Sequence, residues 1–116
     1  RIIDALRPLG VPIIYFANDG AALLGEAAAV GADALGIDWR LPIAEARARV
    51  GAGVTLQGNL DPGVLFGPVS EIERRTRAIL DAARGTRHVF NLGHGILPPT
   101  PPAHAEALVD IVHRYG

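Results

Sequence analysis

Val11-Pro-Ile-Ile-Tyr-Phe-Ala17, followed at once by Asn18-Asp19 and the Ala- and Leu-rich stretch 20–30, is the passage that decides the fold. The run does not alternate apolar with polar residues, as a strand with one wet face would. Near-continuous apolar runs suit parallel strands covered on both faces. Three further runs share its character: Ala34 to Asp38, Val54 to Gln57, and His88 to Leu92. Gly, Pro, Asn or Asp bounds each of them, the usual strand punctuation.

Helical patterns separate these runs. Asp19 to Val30 sets Leu23, Leu24, Ala27 and Ala28 on one side and stops at Gly31. Pro42 to Val50 opens on Pro in the first turn and closes at Gly51, the asymmetry expected of helix ends. Ser70-Glu71-Ile72-Glu73 reads as a capping box, in which Ser accepts from the N3 amide and Glu73 reaches back to the cap. The helix behind it presents Ile72, Thr76, Ile79, Leu80 and Ala83 before Gly85. A final helix opens at Thr100-Pro101 and carries Ala105, Leu108, Val109 and Val112 as its apolar stripe. Arg1 to Leu9 reads as the tail of one more helix.

The order is helix, then four strand–helix units, which implies parallel strands joined by right-handed crossovers. At roughly 30 residues per unit this matches half of a (β/α)8 barrel of about 250 residues, or a small open α/β sheet. No linker, low-complexity tract or repeat divides residues 1–116, so they are expected to be a single partial domain.

Composition narrows the function. The chain has 116 residues, with Lys+Arg 11 against Asp+Glu 12 and a formal net charge of −1. That balance provides no field to draw nucleic acid or an anionic membrane surface. Cys is absent, which removes disulfides, thiolate metal sites and Cys nucleophiles. Apolar residues make up 49%, but no apolar run reaches the roughly 20 residues of a membrane span. No signal or transit pattern opens the chain, and a cytoplasmic protein is expected. The chain starts at Arg1 and contains no Met, and we expect it to be part of a longer protein.

In parallel α/β folds the working face lies at the carboxyl ends of the strands. Every strand here ends in polar residues: Asn18 and Asp19, Asp38, Gln57 with Asn59, and Asn91 followed by His94. Asn18 and Asp19 read most simply as helix N-caps. Asp61-Pro62-Gly63 reads as a turn that starts a short helix, and Asp38-Trp39-Arg40 as an internal ion pair with the indole beneath it. Asn91-Leu-Gly-His-Gly95 is the sharpest candidate. Glycines on both sides of an imidazole either let backbone approach a ligand and free the ring, or serve a tight turn carrying a solvated His. His104 and His113 lie nine apart on the last helix and do not share a face as metal ligands would. Gly-x-Gly-x-x-Gly is missing after the first strand, Lys is missing everywhere, and the lone Ser70 belongs to a helix start. Dinucleotide, Walker-type and Ser-nucleophile chemistries are thereby excluded.

Gly36-Ile-Asp-Trp-Arg40, Val54-Thr-Leu-Gln-Gly-Asn-Leu-Asp-Pro62 and Phe90-Asn-Leu-Gly-His-Gly-Ile-Leu-Pro98, with the Pro-rich entry Pro98 to Ala103, resemble the uroporphyrinogen decarboxylase family in order and spacing. The resemblance runs over essentially the whole chain and corresponds to the C-terminal third of the enzyme. It implies the C-terminal half, (βα)4, of a (β/α)8 TIM barrel, and a homodimer. It implies cofactor-free, metal-free decarboxylation of the four acetate side chains of uroporphyrinogen III to coproporphyrinogen III, in haem synthesis. His94 matches the family's active-site histidine, and Gln57 and Asn59 join it as expected tetrapyrrole contacts. The family's remaining site residues, its arginines, pyrrole-binding Asp, Tyr and Ser/Thr, fall upstream of Arg1, so residues 1–116 alone are expected to be inactive. Related corrinoid- and thiol-dependent methyltransferases carry a zinc-binding Cys where this chain has His94, and zero Cys favours the decarboxylase branch. A methyltransferase-like relative and a non-catalytic α/β binding module are the alternatives.

Overall fold

The computed structural model describes residues 2–116. Its single sheet has four strands, β1 (Ile14–Phe16), β2 (Ala34–Gly36), β3 (Thr55–Gln57) and β4 (His88–Val89), all parallel and in sequential order. Sequential order with a helix after each strand is the wiring of a barrel segment, so the half-barrel expectation holds. Beyond β3 and β4 the pairing continues, with the Leu60 amide donating to the Asn91 carbonyl at 3.1 Å and a bridge between Leu60 and Leu92. β1 and β4 stand at the two edges, as a half barrel requires.

The helices are α1 (Ile2–Leu6), α2 (Leu24–Ala29), α3 (Ile43–Val50), α4 (Val69–Ala83) and α5 (Pro102–Tyr115). Leu35 of β2 is registered with Tyr15 and Leu56, and Leu56 with His88. Leu35 and Leu56 are buried beneath α2 and α3 with Leu24, Ile37, Leu41, Ile43 and Ala46. A second cluster joins Leu60, Leu65, Ile72, Leu108 and Ile111 between α4, α5 and the β3 turn. The helices therefore cover one face of the sheet.

The opposite face is bare. Phe16, Gly36, Gln57 and Val89 form one row across all four strands, and Phe16 and Val89 are exposed. The accessible surface is 6906 Å², some 850 Å² above the roughly 6,060 Å² expected of a closed monomer of this mass. The excess belongs to a fold that presents its concave side outward.

Several local expectations change. Residues 19–30 do not form one helix: a 3-10 turn, Gly20–Leu23, precedes the short α2, and Leu23 points to solvent while Leu24 is buried. Asp19 stands at the N-cap position of that turn, as expected, but at φ 53° and without a side-chain cap bond. The capping box of Ser70 does not form, because Pro68 caps α4 and places Glu71, not Glu73, at the third helical position. Glu71 there accepts from Arg74 and Arg75, which hold its carboxyl at about 2. On α5 the buried stripe is Leu108 and Ile111, whereas Val109 is exposed. Asp61 behaves as read, accepting the Gly63 amide at 2.8 Å to open a 3-10 turn.

Candidate functional site

The row Phe16–Gly36–Gln57 floors a cleft of about 410 Å³ on the bare face. Its walls are Ile37 and the segment after β4, namely Asn91, Leu92, His94, Gly95 and Ile96. Phe16 shapes the floor. A Cβ at Gly36 would fall 2.9 Å from the Phe16 ring, so Gly at 36 lets the aromatic lie across its neighbouring strand. His94 meets that ring edge-on, with centroids 6.5 Å apart. Its imidazole is exposed, and its nearest internal partner is the Gly95 carbonyl at 3.5 Å from Nδ1. The ring is thus open to a hydrogen bond with a bound molecule.

The two glycines beside His94 differ in their reason for being there. Neither sits at positive φ. A Cβ at Gly93 would come within 2.4 Å of the Trp39 nitrogen, whereas a Cβ at Gly95 would meet nothing within 4 Å. Gly93 serves close backbone approach to the β2 turn, and its amide donates to the Leu60 carbonyl at 2.7 Å. The tight-turn reading therefore gives way to a packed seat for the His94 loop.

Of the expected contacts, His94 and Gln57 are brought together and Asn59 is not. Asn59 is buried, and its Nδ2 donates to the Asp38 carbonyl at 3.0 Å and to the Leu41 carbonyl. Its amide nitrogen is committed inside the fold, and Asn59 does not line this cleft. Gly58, before it, sits at φ 137° and close enough to Ile37 that a Cβ would come within 2.9 Å of that carbonyl. His88 holds the Gly58 carbonyl at 2.6 Å from Nε2, and burial lowers the His88 pKa, favouring the neutral ring.

Asp38 and Arg40 form the expected ion pair, Nη1 to Oδ2 at 2.8 Å, with the guanidinium over the Trp39 ring at 4.7 Å. Burial pushes the Asp38 carboxyl up, but the amides of Arg40 and Asp19 and the Arg40 guanidinium outweigh it and hold the carboxyl below its usual value. His104 is spent on the Leu65 carbonyl, 2.7 Å from Nδ1. Among the described residues no group of three His, Cys, Asp or Glu gathers as a metal site, and no helix is long and apolar enough to cross a membrane. Phe16 and Ile96 were not among the sequence candidates; the signal for Phe16 was its place two residues before the polar strand end at Asn18.

The cleft carries one imidazole, two amide side chains and an apolar floor, and no guanidinium or carboxylate lines it. Such a surface can pack against an apolar face and hydrogen-bond to polar groups beside it.

The family model described as uroporphyrinogen decarboxylase matches residues 1–115. A uroporphyrinogen decarboxylase of Streptomyces griseus is 50% identical over 115 residues, covering 98% of this chain and 32% of the relative. Those of Proteus mirabilis and Myxococcus xanthus are 51% and 47% identical, over 98% and 100% of this chain and 33% of each relative. The chain thus spans about a third of the length of the curated relatives it matches. Among solved structures, a methyltransferase from Methanosarcina mazei superposes with a TM-score of 0.77 at 24% identity, over 88% of this chain and 31% of that one. That likeness supports the barrel fold alone.

Proposed function

Since this chain belongs to the uroporphyrinogen decarboxylase family, we propose that it forms the C-terminal wall of a decarboxylase acting on the four acetate side chains of uroporphyrinogen III, giving coproporphyrinogen III. The observation that carries the reading is the position of His94: at a strand's carboxyl end, on the concave side, across an aromatic floor. The chemistry fits such a wall. Protonation of a pyrrole carbon makes the ring an electron sink; CO2 leaves, the resulting enamine-like methylene is protonated to a methyl group, and the ring carbon then gives up its added proton to restore the pyrrole. The step needs a proton-handling group near the ring and a water-poor surface against its face. His94 fills the first role and the exposed Phe16 and Ile96 the second. Gln57 offers an amide to a substrate carboxylate or pyrrole N–H, while Asn59 acts from behind by fixing the β3 turn.

The reaction as read uses no metal and no organic cofactor. The resemblance also supports a cytoplasmic homodimer. With no guanidinium among the cleft residues, the cations that neutralise the substrate's carboxylates belong to the part of the barrel that relatives carry and residues 1–116 do not. The purified chain is therefore expected to yield no coproporphyrinogen from uroporphyrinogen, measured by separating the oxidised products. Product above the uncatalysed background would contradict the proposed division of the site. Zero Cys and the low identity of the methyltransferase neighbour leave the methyltransferase alternative without support of its own.

A further inference from the structure

The turn after β2 touches the turns that follow all three other strands. The Asp38 carboxylate is buried; its Oδ2 accepts the Asp19 amide, from the β1 turn, at 3.0 Å. Its Oδ1 accepts the Arg40 amide at 2.9 Å, and Arg40 Nη1 donates to both oxygens at 3.0 and 2.8 Å. The Asp38 carbonyl accepts Asn59 Nδ2, from the β3 turn, at 3.0 Å. On the other side, the Trp39 backbone is the surface on which Gly93, from the β4 turn, lies without room for a Cβ. His94 is the next residue.

We propose that Asp38 is a positioning residue for His94: its carboxylate locks the 38–41 turn, and that turn's Trp39 backbone is the seat that fixes the Gly93–His94 peptide over the cleft. The inference rests on His94 as the substrate-facing group but concerns how that group is held. Four charge-assisted or backbone bonds, from three donors, meet on one buried carboxylate, and bonds of this kind are stronger than neutral ones. Releasing them loosens the seat without removing any atom of the cleft. Asn59 adds the β3 turn to the same hub, so the four strand ends move as one unit.

The test uses the whole 116-residue chain, labelled with nitrogen-15. Amide exchange at Gly93, bonded to Leu60, reports the seat; exchange at Leu56, bonded to the Arg87 carbonyl at 3.0 Å, reports the sheet. In Asp38→Asn, Gly93 exchange is expected to accelerate about tenfold or more relative to Leu56. Arg40→Gln alters an exposed side chain and tests the same lock in a chain that keeps the carboxylate; a smaller shift in the same direction is expected. Equal acceleration at Gly93 and Leu56 would make Asp38 a general support of the fold and overturn the proposal. So would an unmoved Gly93 in Arg40→Gln, including the case where Asp38→Asn does not fold. Uroporphyrin binding separates the two readings. If His94→Ala binds it as well as the parent while Gly93 exchange still responds to the Asp38 lock, the positioning role stands and the substrate role of His94 falls.

Discussion

Gly93→Ala is the substitution whose cost follows most directly from the geometry. The added Cβ would lie 2.4 Å from the Trp39 nitrogen and 2.6 Å from its Cα and Cβ. Ordinary contact needs about 1 Å more, and the obstacle is backbone rather than the end of a flexible side chain. Trp39 has little freedom to retreat, because Asp38 before it and Arg40 after it are tied to one buried carboxylate. Overpacking of this kind costs about 1–3 kcal/mol. Against a urea dependence of about 1–3 kcal/mol per molar for small proteins, the midpoint should fall by roughly 1 M. The control is built in. Gly95, two residues on, has open space and no positive φ, so Gly95→Ala should be neutral, or stabilise by about 0.5 kcal/mol through the unfolded state. Urea unfolding followed by circular dichroism measures both. If the two variants unfold together with the parent, Gly93 is not seated on Trp39 and the account of the His94 loop fails.

Ile111→Ala empties a fully buried position between α4 and α5 and should cost about 2–5 kcal/mol by urea unfolding; Val109→Ala, on the exposed face of the same helix, should cost much less. Acid acts through Asp38. Its folded pKa is depressed, so its contribution is complete above the unfolded value of about 3.9 and drains away as pH falls through the folded value. Asp38→Asn should therefore lose less stability than the parent between about pH 5 and the acid limit, and parallel acid curves would deny the carboxylate that role. The bare sheet face and free β1 and β4 edges should drive self-association; sedimentation of the chain as a sharp monomer at all concentrations would count against an open half barrel.

The alternation of apolar runs with helical patterns made the wiring legible, because parallel strands leave a period-free signature that few other elements share. Boundaries were less legible. β1 spans only Ile14–Phe16 of the run 11–17, since pairing with β2 begins where Ile14 meets Ala34. Ser70 misled because Pro68 starts the helix two residues earlier than a Ser cap would, a choice made by backbone φ rather than by hydrogen-bonding propensity. His94 was visible through its motif, but the reason for Gly93 was not. It depends on contact with Trp39, more than fifty residues away in sequence, and only the sheet order brings them together. Asn59 looked like a ligand because it ends a strand; burial and two carbonyl partners place it in the scaffold instead.

The central claim, that this half barrel presents His94 to a tetrapyrrole, is tested most directly by grafting. Residues 1–116 replace the matching third of the Streptomyces griseus relative, to which they are 50% identical, and coproporphyrinogen formation is measured for the graft and its His94→Ala counterpart. The account expects product from the graft and a fall of about tenfold or more in kcat when the imidazole is removed. A folded graft that works equally well without the imidazole would contradict it.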